Sequence, residues 1–320
     1  MNKHIFSSIL RLLAVTVPVL AGSSAGAQDS SDIEAVRRTV SLSEVVIRSD
    51  LNVPKFLQRI RNDTSYYKAF KNLHVLGFTS LNFIQMSDKK GRPVASLQSR
   101  TRQNRDANCR TMDILEEKTT GDFYDRNHAF NYYTAQLYAA FFFTTGRVCG
   151  ETNIVKGAEH KLEGKKGLEK NKEQLKMLFF NPGKKIPGIP FIGDKLDVFD
   201  EAITRLYDYS IDTADLYGQP CFIFRIQRKA DLSQSERGDI VFDNITTWFN
   251  EKTFDIVGRN YDLSYKAGVY DFDVHMQVEM QQFGEYIVPH VLRYSGNWHL
   301  LFKGRERGIF TATLFDFKKP

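Results

Sequence analysis

The chain has 320 residues and a formal net charge of +6, with 42% hydrophobic and 26% charged residues. This basicity is mild, and no basic helix, RNA-binding motif or zinc-finger spacing accompanies it. The composition therefore argues against nucleic acid as a partner, while it is compatible with contact to anionic lipid head groups.

The first 27 residues are typical of an export signal, which we expect to be cleaved before Gln28. Lys3 and Arg11 give a positively charged start, and an apolar stretch and the small residues at 25–27 follow. An uncleaved anchor is the alternative. No cysteine follows the small residues, so a lipid anchor is not indicated, and the rest of the chain has no apolar stretch long enough for a membrane-spanning helix.

The N-terminal third predicts two short helices and then three strands. In "NVPKFLQRIRNDTSYYKAFKNL" (52–73), Asn52 is a candidate helix cap, Pro54 lies near the helix start, and apolar residues recur at helical spacing. The stretches "LGFTSLNFIQM" and "PVASLQSRTR" flank the turn "SDKKGR", which indicates a hairpin. A third strand is expected at about 109–119.

The middle third has a different character. Residues 125–146 predict a helix that is capped by Asp125 or Asn127 and ends at Gly146, although the aromatic content leaves a strand as the competing interpretation. A lysine-rich, partly helical segment follows, and "NPGKKIPGIPFIG" (181–193) combines proline and glycine with apolar side chains.

From about residue 205 onward, long apolar stretches alternate with short turn signals, which is typical of an antiparallel meander. The stretch "VYDFDVHMQVEM" (269–280) alternates apolar and polar residues almost without fault, so it predicts a long strand with one apolar face. Asp271, Asp273 and His275 share the polar face, where they are either metal ligands or, as the continuing polar pattern favours, ordinary solvent-facing residues.

These elements predict a fold that is mainly β with some α: a large curved antiparallel meander, or half-barrel, with helices covering its concave face. The N-terminal hairpin is expected to join the same sheet as the meander. Residues 28–320 would then form a single domain, with a lysine-rich helical insertion at about 150–195.

One stretch carries a resemblance to a known family. In "TTWFNEKTFDIVGRNYDLSY" (246–265), a strand, an N-x-K-T turn and a return strand with the basic residue Arg259 follow one another. This stretch, together with the export signal and the meander, resembles the LolA/LolB-like lipoprotein-carrier superfamily of Gram-negative envelopes. The resemblance implies a periplasmic half-barrel, in the periplasm or at the periphery of the outer membrane, with helices that form a lid over an apolar cavity.

We therefore predict a protein that binds a lipid, an acyl group or another hydrophobic ligand, because a curved sheet of long strands offers more apolar area than a few short helices fill. The predicted ligand-lining residues are Trp248, Tyr270, Phe272, Val274, Met276, Val278 and Met280. The predicted lid residues are Phe141, Ile189 and Phe191, and Lys165, Lys166 and Lys170 are expected to contact a membrane or a partner.

Three cysteines remain in a chain that is expected to reach an oxidising compartment. Cys109 and Cys149 lie in polar, turn-like surroundings, whereas Cys221 opens an apolar strand. We expect the first two to pair and the third to be buried; three unpaired thiols are the alternative.

Motifs for catalysis are missing from the sequence. We find no HExxH, no G-x-S-x-G elbow and no glycine-rich phosphate loop, so we predict no enzyme, no metal and no cofactor. The main alternative to a ligand-binding protein is a structural or interaction protein of the cell envelope whose sheet is filled by its own side chains. A hydrolase without a recognisable motif is a further alternative.

Overall fold

The computed structural model describes residues 42–45, 52–155, 174, 176–186, 189, 192–267, 270–300 and 304–319. The predicted export signal, Phe191 and the lysines at 165, 166 and 170 lie outside the described residues.

Twelve strands of the described part of the chain form one open sheet. They are β1 (Leu42–Val45), β2 (Gly77–Ser87), β3 (Pro93–Asp106), β4 (Cys109–Thr120), β5 (Val148–Cys149), β6 (Tyr207–Leu216), β7 (Gln219–Arg228), β8 (Phe242–Asn250), β9 (Ile256–Ala267), β10 (Tyr270–Phe283), β11 (Tyr286–Leu300) and β12 (Gly304–Lys318). Their order is β1-β6-β7-β8-β9-β10-β11-β12-β2-β3-β4-β5. Only the pairing of β1 with β6 is parallel among the described strands. The mainly β, half-barrel fold is thus confirmed, and β12 joins the meander to the hairpin by pairing with β2.

The described helices are α1 (Val53–Asn62), α2 (Ser65–Asn72), α3 (Tyr133–Phe142), α4 (Glu201–Thr204) and α5 (Gln234–Arg237), with a further helical segment at 176–180 and 3-10 turns at Leu73–Val75 and Asp194–Leu196. The helices α1 to α3 and the segment 176–180 pack on one face of the sheet, which we call the inner face. The start of α1 follows the prediction: the Asn52 side chain accepts a hydrogen bond from the Lys55 backbone at 3.1 Å, and Pro54 lies in the first turn.

Helix α3 is shorter than the predicted 125–146. The Asp125 carboxylate instead accepts hydrogen bonds from the backbone of Asn127 and Ala129, which holds a tight turn before the helix. The acceptor at the helix start comes from β12, where the Glu306 carboxylate receives the backbone N–H groups of Tyr133 and Thr134 at 2.8 and 2.9 Å. A distant strand therefore sets where α3 begins.

A row of directly paired residues crosses the middle of the inner face from β7 to β3, and we call it the central row. Its members are Ile226, Ile245, Tyr261, Met276, Tyr294, Phe310, Ile84 and Leu97. All of them are buried. Directly opposed residues share a face of the sheet, so the apolar side of the long strand β10 is one column of a continuous core.

Aromatic side chains of the helices cover this core. Phe56 of α1 packs edge-on against Phe222 at 5.7 Å between ring centroids, and Tyr138 of α3 packs against Phe310 at 4.9 Å. Between them, Phe179 packs against Tyr294 at 5.9 Å, and its carbonyl accepts a hydrogen bond from the Tyr261 hydroxyl at 2.8 Å. The middle of the inner face is therefore filled by the protein itself.

A glycine makes this filling possible on β11. The Tyr294 hydroxyl accepts a hydrogen bond from the Trp298 indole, and a Cβ at Gly296 would collide with that hydroxyl. The two rings can therefore fold across Gly296, and Tyr294 also stacks on Phe310 at 4.4 Å and 7°.

The opposite, outer face carries the polar residues of β10. Asp271 pairs with Arg305, and His275 pairs with Asp262 on the neighbouring strand. Within the described ranges, no group of three histidine, cysteine or acidic side chains is arranged to hold a metal ion. No helix among the described residues is long and apolar enough to cross a membrane.

Candidate ligand-binding cavity

A cavity of about 250 Å³ lies at one end of the inner face, beside the strands β3 to β5 at the sheet edge. We call it the edge cavity. Its described lining residues are Tyr67, Phe70, Lys71, Leu73, His74, Phe78, Gln103, Arg110, Ala140, Phe141, Phe142, Glu151, Lys176 and Phe180. They come from α2, the end of α3, the helical segment 176–180, the strands β2 to β4 and the residues that follow β5.

The buried part of this lining is mainly aromatic. Phe180 packs against Phe70 at 4.3 Å between ring centroids and against Phe142 at 6.2 Å, so it joins α2, α3 and the segment 176–180. Phe78 on β2 is also buried, at 5% exposure. These four rings give the cavity an apolar floor.

Gln103 and Arg110 form a polar wall on the strand side. The Gln103 amide nitrogen donates to the carbonyls of Leu73 and Leu76, both at 2.7 Å, which ties β3 to the end of α2. Its amide oxygen accepts from Arg110 Nη1 at 3.1 Å and from the Thr144 hydroxyl at 3.0 Å. Arg110 also donates to Thr144. This wall is thus held together by its own hydrogen bonds.

Glu151 completes the wall at the cavity rim. Arg110 donates to Glu151 through Nε and, at 3.2 Å, through Nη2, while His74 Nδ1 lies 3.2 Å from Glu151 Oε1. Burial alone would raise the pKa of this carboxyl, but the hydrogen bonds and charges of His74 and Arg110 outweigh burial and lower the pKa to about 2. Glu151 is therefore ionised at neutral pH and holds Arg110 in place.

A disulfide positions this ion pair. Cys109 and Cys149 are bonded, the pairing that the sequence analysis favoured, and they face each other where β4 pairs with β5. Arg110 follows the first cysteine directly, and Glu151 lies two residues after the second. The disulfide thus fixes two of the charged lining residues. Cys221 is a free, buried thiol, as expected.

Lysines stand at the rim. Lys71 and Lys176 line the cavity and are partly exposed. Lys68, one turn before Lys71 on α2, donates to the carbonyl of Asn153, and its pKa is lowered, first by partial burial and then by the charge of Lys71. Three lysines of the described residues therefore lie at or near the rim.

The predicted ligand-lining residues lie elsewhere. Phe272, Val274, Met276, Val278 and Met280 are 1–8% exposed and belong to the filled core of the inner face. The side chain of Tyr270 lies outside the described part of the chain. The structure brings the predicted residues of β10 together with one another, but not with the edge cavity.

Trp248 requires a correction. It pairs with Gly258, which in turn pairs with Glu279 on the polar side of β10. Since opposed residues share a face, Trp248 lies on the outer face and is not part of the inner lining. The inner face is instead occupied by its neighbours Thr247 and Phe249, which are both buried.

The predicted lid is divided between two places. Phe141 does line the edge cavity, where its ring lies 5.2 Å from that of Phe180. Ile189 is partly buried against the core, and its carbonyl accepts a hydrogen bond from the Gly193 backbone at 3.2 Å.

Sequence reasoning missed His74, Gln103, Arg110 and Glu151 as site residues. A local signal existed for two of them, because Arg110 and Glu151 lie next to the cysteines that were expected to pair. His74 and Gln103 stand in an unremarkable helix end and strand, so no sequence pattern distinguished them.

Arg259, the basic residue of the family resemblance, is buried beneath α2. Its Nε donates to the Thr247 hydroxyl at 2.9 Å, its guanidinium lies 4.5 Å from the ring centre of Tyr66, and Nη2 lies 3.8 Å from the Asp63 carboxylate. Burial lowers the pKa of Arg259, and the charge of Asp63 opposes that effect. The residue acts as a structural bridge between the sheet and the N-terminal helices.

No protein-family model matches the chain, and a comparison with curated proteins also found no match. Among solved structures, a domain described as an outer membrane lipoprotein-sorting protein from Vibrio parahaemolyticus has 9% sequence identity and a TM-score of 0.27, over 79% of this chain and 88% of that one. A DUF1329 family protein from Desulfovibrio piger has 8% identity and a TM-score of 0.23, over 80% of this chain and 93% of its own.

Lipovitellin, in a structure concerned with lipid–protein interactions, has 8% identity and a TM-score of 0.26, over 77% of this chain and 25% of its own.

Proposed function

We propose that this protein binds a hydrophobic ligand in the edge cavity and acts as a binding protein rather than an enzyme. One observation carries the proposal: an aromatic floor lies beneath a partly exposed rim, whereas the central row is covered by the protein's own aromatic side chains. Removing apolar surface from water stabilises by about 25 cal/mol per Å². An apolar group that enters this cavity therefore gains binding energy from contacts that the protein leaves unmade.

The proposal includes export to the envelope of a Gram-negative bacterium, on the basis of the leader at 1–27. It also includes contact of Lys165, Lys166 and Lys170 with a membrane surface. Replacing the three lysines with glutamate should weaken sedimentation with vesicles that contain an anionic phospholipid. Unchanged sedimentation would remove the membrane contact without affecting the cavity.

Occupancy of the cavity can be tested by native mass spectrometry of the protein with 1-decanol. Ala140 is exposed and lines the rim, so Ala140→Trp should obstruct the entrance. Thr145→Trp, on an exposed residue that is not part of the described lining, is the matched control.

We expect a bound decanol mass in the unmodified protein and in Thr145→Trp, but not in Ala140→Trp. Binding that survives in Ala140→Trp would place the ligand elsewhere. A protein that binds no decanol in any of the three forms would contradict the proposal.

The second candidate is a non-catalytic structural or interaction protein of the envelope. The filling of the central row by aromatic side chains favours it. The edge of the sheet favours it as well. Among the described residues, β5 pairs with Cys109 and Arg110 alone, and the second half of β4 is exposed. An exposed edge strand can pair with another chain. The absence of any bound decanol would favour this candidate.

A further inference from the structure

We infer that the preferred occupant of the edge cavity is a single-chain amphiphile with an anionic head group, a carboxylate or a phosphate, that binds with its chain inside and its head at the rim. This inference rests on the proposed function, because it specifies the ligand of the same cavity. Three properties of the cavity lead to it: its volume, the distribution of its charges, and the fact that the polar groups of its wall already have hydrogen-bond partners.

The volume limits the number of chains. Pockets for drug-sized ligands measure about 300–1,000 Å³, and the edge cavity holds about 250 Å³. Two or three acyl chains, as in a phospholipid or an acylated lipoprotein, exceed this space. One short chain fits it, with the rings of Phe70, Phe142 and Phe180 as its contacts.

The charges favour an anion. The described lining contains three cationic side chains, Lys71, Arg110 and Lys176, and one carboxylate, Glu151. Glu151 is already engaged by Arg110 and His74, so it does not neutralise Lys71. Lys68 adds a further positive charge one turn away on α2. An anionic head group at the rim would therefore meet the positive charges of Lys71 and Lys68.

The polar wall decides the orientation. Arg110 donates to Glu151, Gln103 and Thr144, and both ends of the Gln103 amide are occupied. A head group that entered deeply would have to break these bonds, and each polar group left unpaired would cost binding energy. The chain therefore enters first, and the head remains beside Lys71 at the partly exposed rim.

The test compares decanoate, decyl phosphate and 1-decanol, which share one chain and differ in the head group. Affinities are measured by titration calorimetry for the unmodified protein, for Lys71→Gln, and for Lys55→Gln as a matched control on the exposed side of the neighbouring helix α1. We expect the better anion to bind about tenfold more tightly than decanol, as for a charge-assisted hydrogen bond. The preference is the ratio of the anion affinity to the decanol affinity within one variant. Lys71→Gln should remove most of this preference, whereas Lys55→Gln should leave it intact.

The outcomes separate the two proposals. If none of the three compounds binds, the proposed function fails, and the inference fails with it. If decanol binds as tightly as both anions, the proposed function stands and the inference is overturned. An anion preference that falls equally in Lys71→Gln and Lys55→Gln would reflect general surface charge and would also overturn it. The stronger of the two anions identifies the head group.

Discussion

The central row and the edge cavity are two parts of one inner face, and they differ in how the helices cover them. Over β9 to β12, the segment 176–180 and α3 place aromatic rings directly on the sheet. At the sheet edge, α2 and the end of α3 meet a polar wall instead, and a cavity remains. An apolar strand face is therefore not by itself a ligand site. The proposed site lies where the covering elements leave space.

The same comparison explains the different roles of a buried arginine, Arg259, and a partly buried one, Arg110. Arg259 lies under α2 with Tyr66 over its guanidinium, and it holds the filled region together. Arg110 lies at the edge and holds the wall of a cavity through Glu151. Four substitutions, described from the largest expected effect to the smallest, test whether the two regions differ as the structure indicates.

The largest effect is expected from removing the disulfide. Replacing both Cys109 and Cys149 with serine should lower the free energy of unfolding by about 4 kcal/mol, because a cross-link over 40 residues restricts the unfolded chain. Urea denaturation measures this change, and decanol binding should fall as well, since Arg110 and Glu151 lose their support. Cys221→Ala is the control. It should lower the free energy of unfolding by less and leave decanol binding unchanged. A double variant with full stability and full binding would show that the disulfide does not position the wall.

The next effect tests the filled region. Met276 is 1% exposed in the central row, and Met276→Ala should lower the free energy of unfolding by about 3 kcal/mol through lost contacts and a new void. Gln277→Ala, one residue away on the outer face, should change stability by about 0.5 kcal/mol or less. Decanol affinity should be the same in both variants. If Met276→Ala lowered the free energy of unfolding only slightly, or weakened decanol binding, this face would be a ligand surface after all.

The third effect depends on pH. The pKa of Glu151 is about 2 in the folded protein, below its usual value of 4.5. The carboxylate therefore contributes its full stabilisation above pH 4.5, and this contribution is lost as the pH falls toward 2. Glu151→Gln should lower the free energy of unfolding at neutral pH by about 2 kcal/mol.

This difference between the unmodified protein and Glu151→Gln should shrink between pH 4.5 and pH 2, as measured by denaturation at several pH values. Glu116→Gln removes an exposed carboxylate that lies 3.5 Å from Arg100, and it should have an effect of about 0–1 kcal/mol. A difference for Glu151→Gln that stays constant with pH would show that its interaction with Arg110 and His74 is weak.

The smallest stability effect is expected at the cavity. Phe141 is only partly buried, so Phe141→Ala should lower the free energy of unfolding by about 1 kcal/mol. This is the energy that one contact between two aromatic rings typically contributes. Decanol binding should nevertheless weaken several-fold, because the ring lines the cavity. The control for binding is Phe143→Ala. Phe143 is a partly buried ring that packs on Tyr138 and is not part of the described lining. Equal affinities in the two variants would remove Phe141 from the site.

Parts of the candidate site could be predicted from the sequence. Phe141 was expected at a lid, and the pairing of Cys109 with Cys149 pointed to one corner of the cavity. The role of Met276 could not be foreseen, because periodicity shows that a face is buried but not what buries it. His74 and Glu151 are 77 residues apart and meet only because α2 lies against the residues after β5.

By itself, the sequence determined the long strands, because alternation with period two and turn residues are local properties. It did not predict the short strands β1 and β5. The strand β10 and the hairpin of β2 and β3 follow their patterns closely. It also determined the start of α1, since Asn52 and Pro54 act within one turn. Local rules were insufficient for α3, which begins where Glu306 of β12 supplies acceptors for its first N–H groups.

Tertiary structure alone decided which apolar face is filled and where space remains. That outcome depends on contacts between residues far apart in the chain, such as Phe179 with Tyr294 and Gln103 with Leu73. Hydrophobic burial is not directional, so one apolar strand face can be covered equally well by a helix or by a ligand. Only the shape and reach of the covering elements distinguish the two.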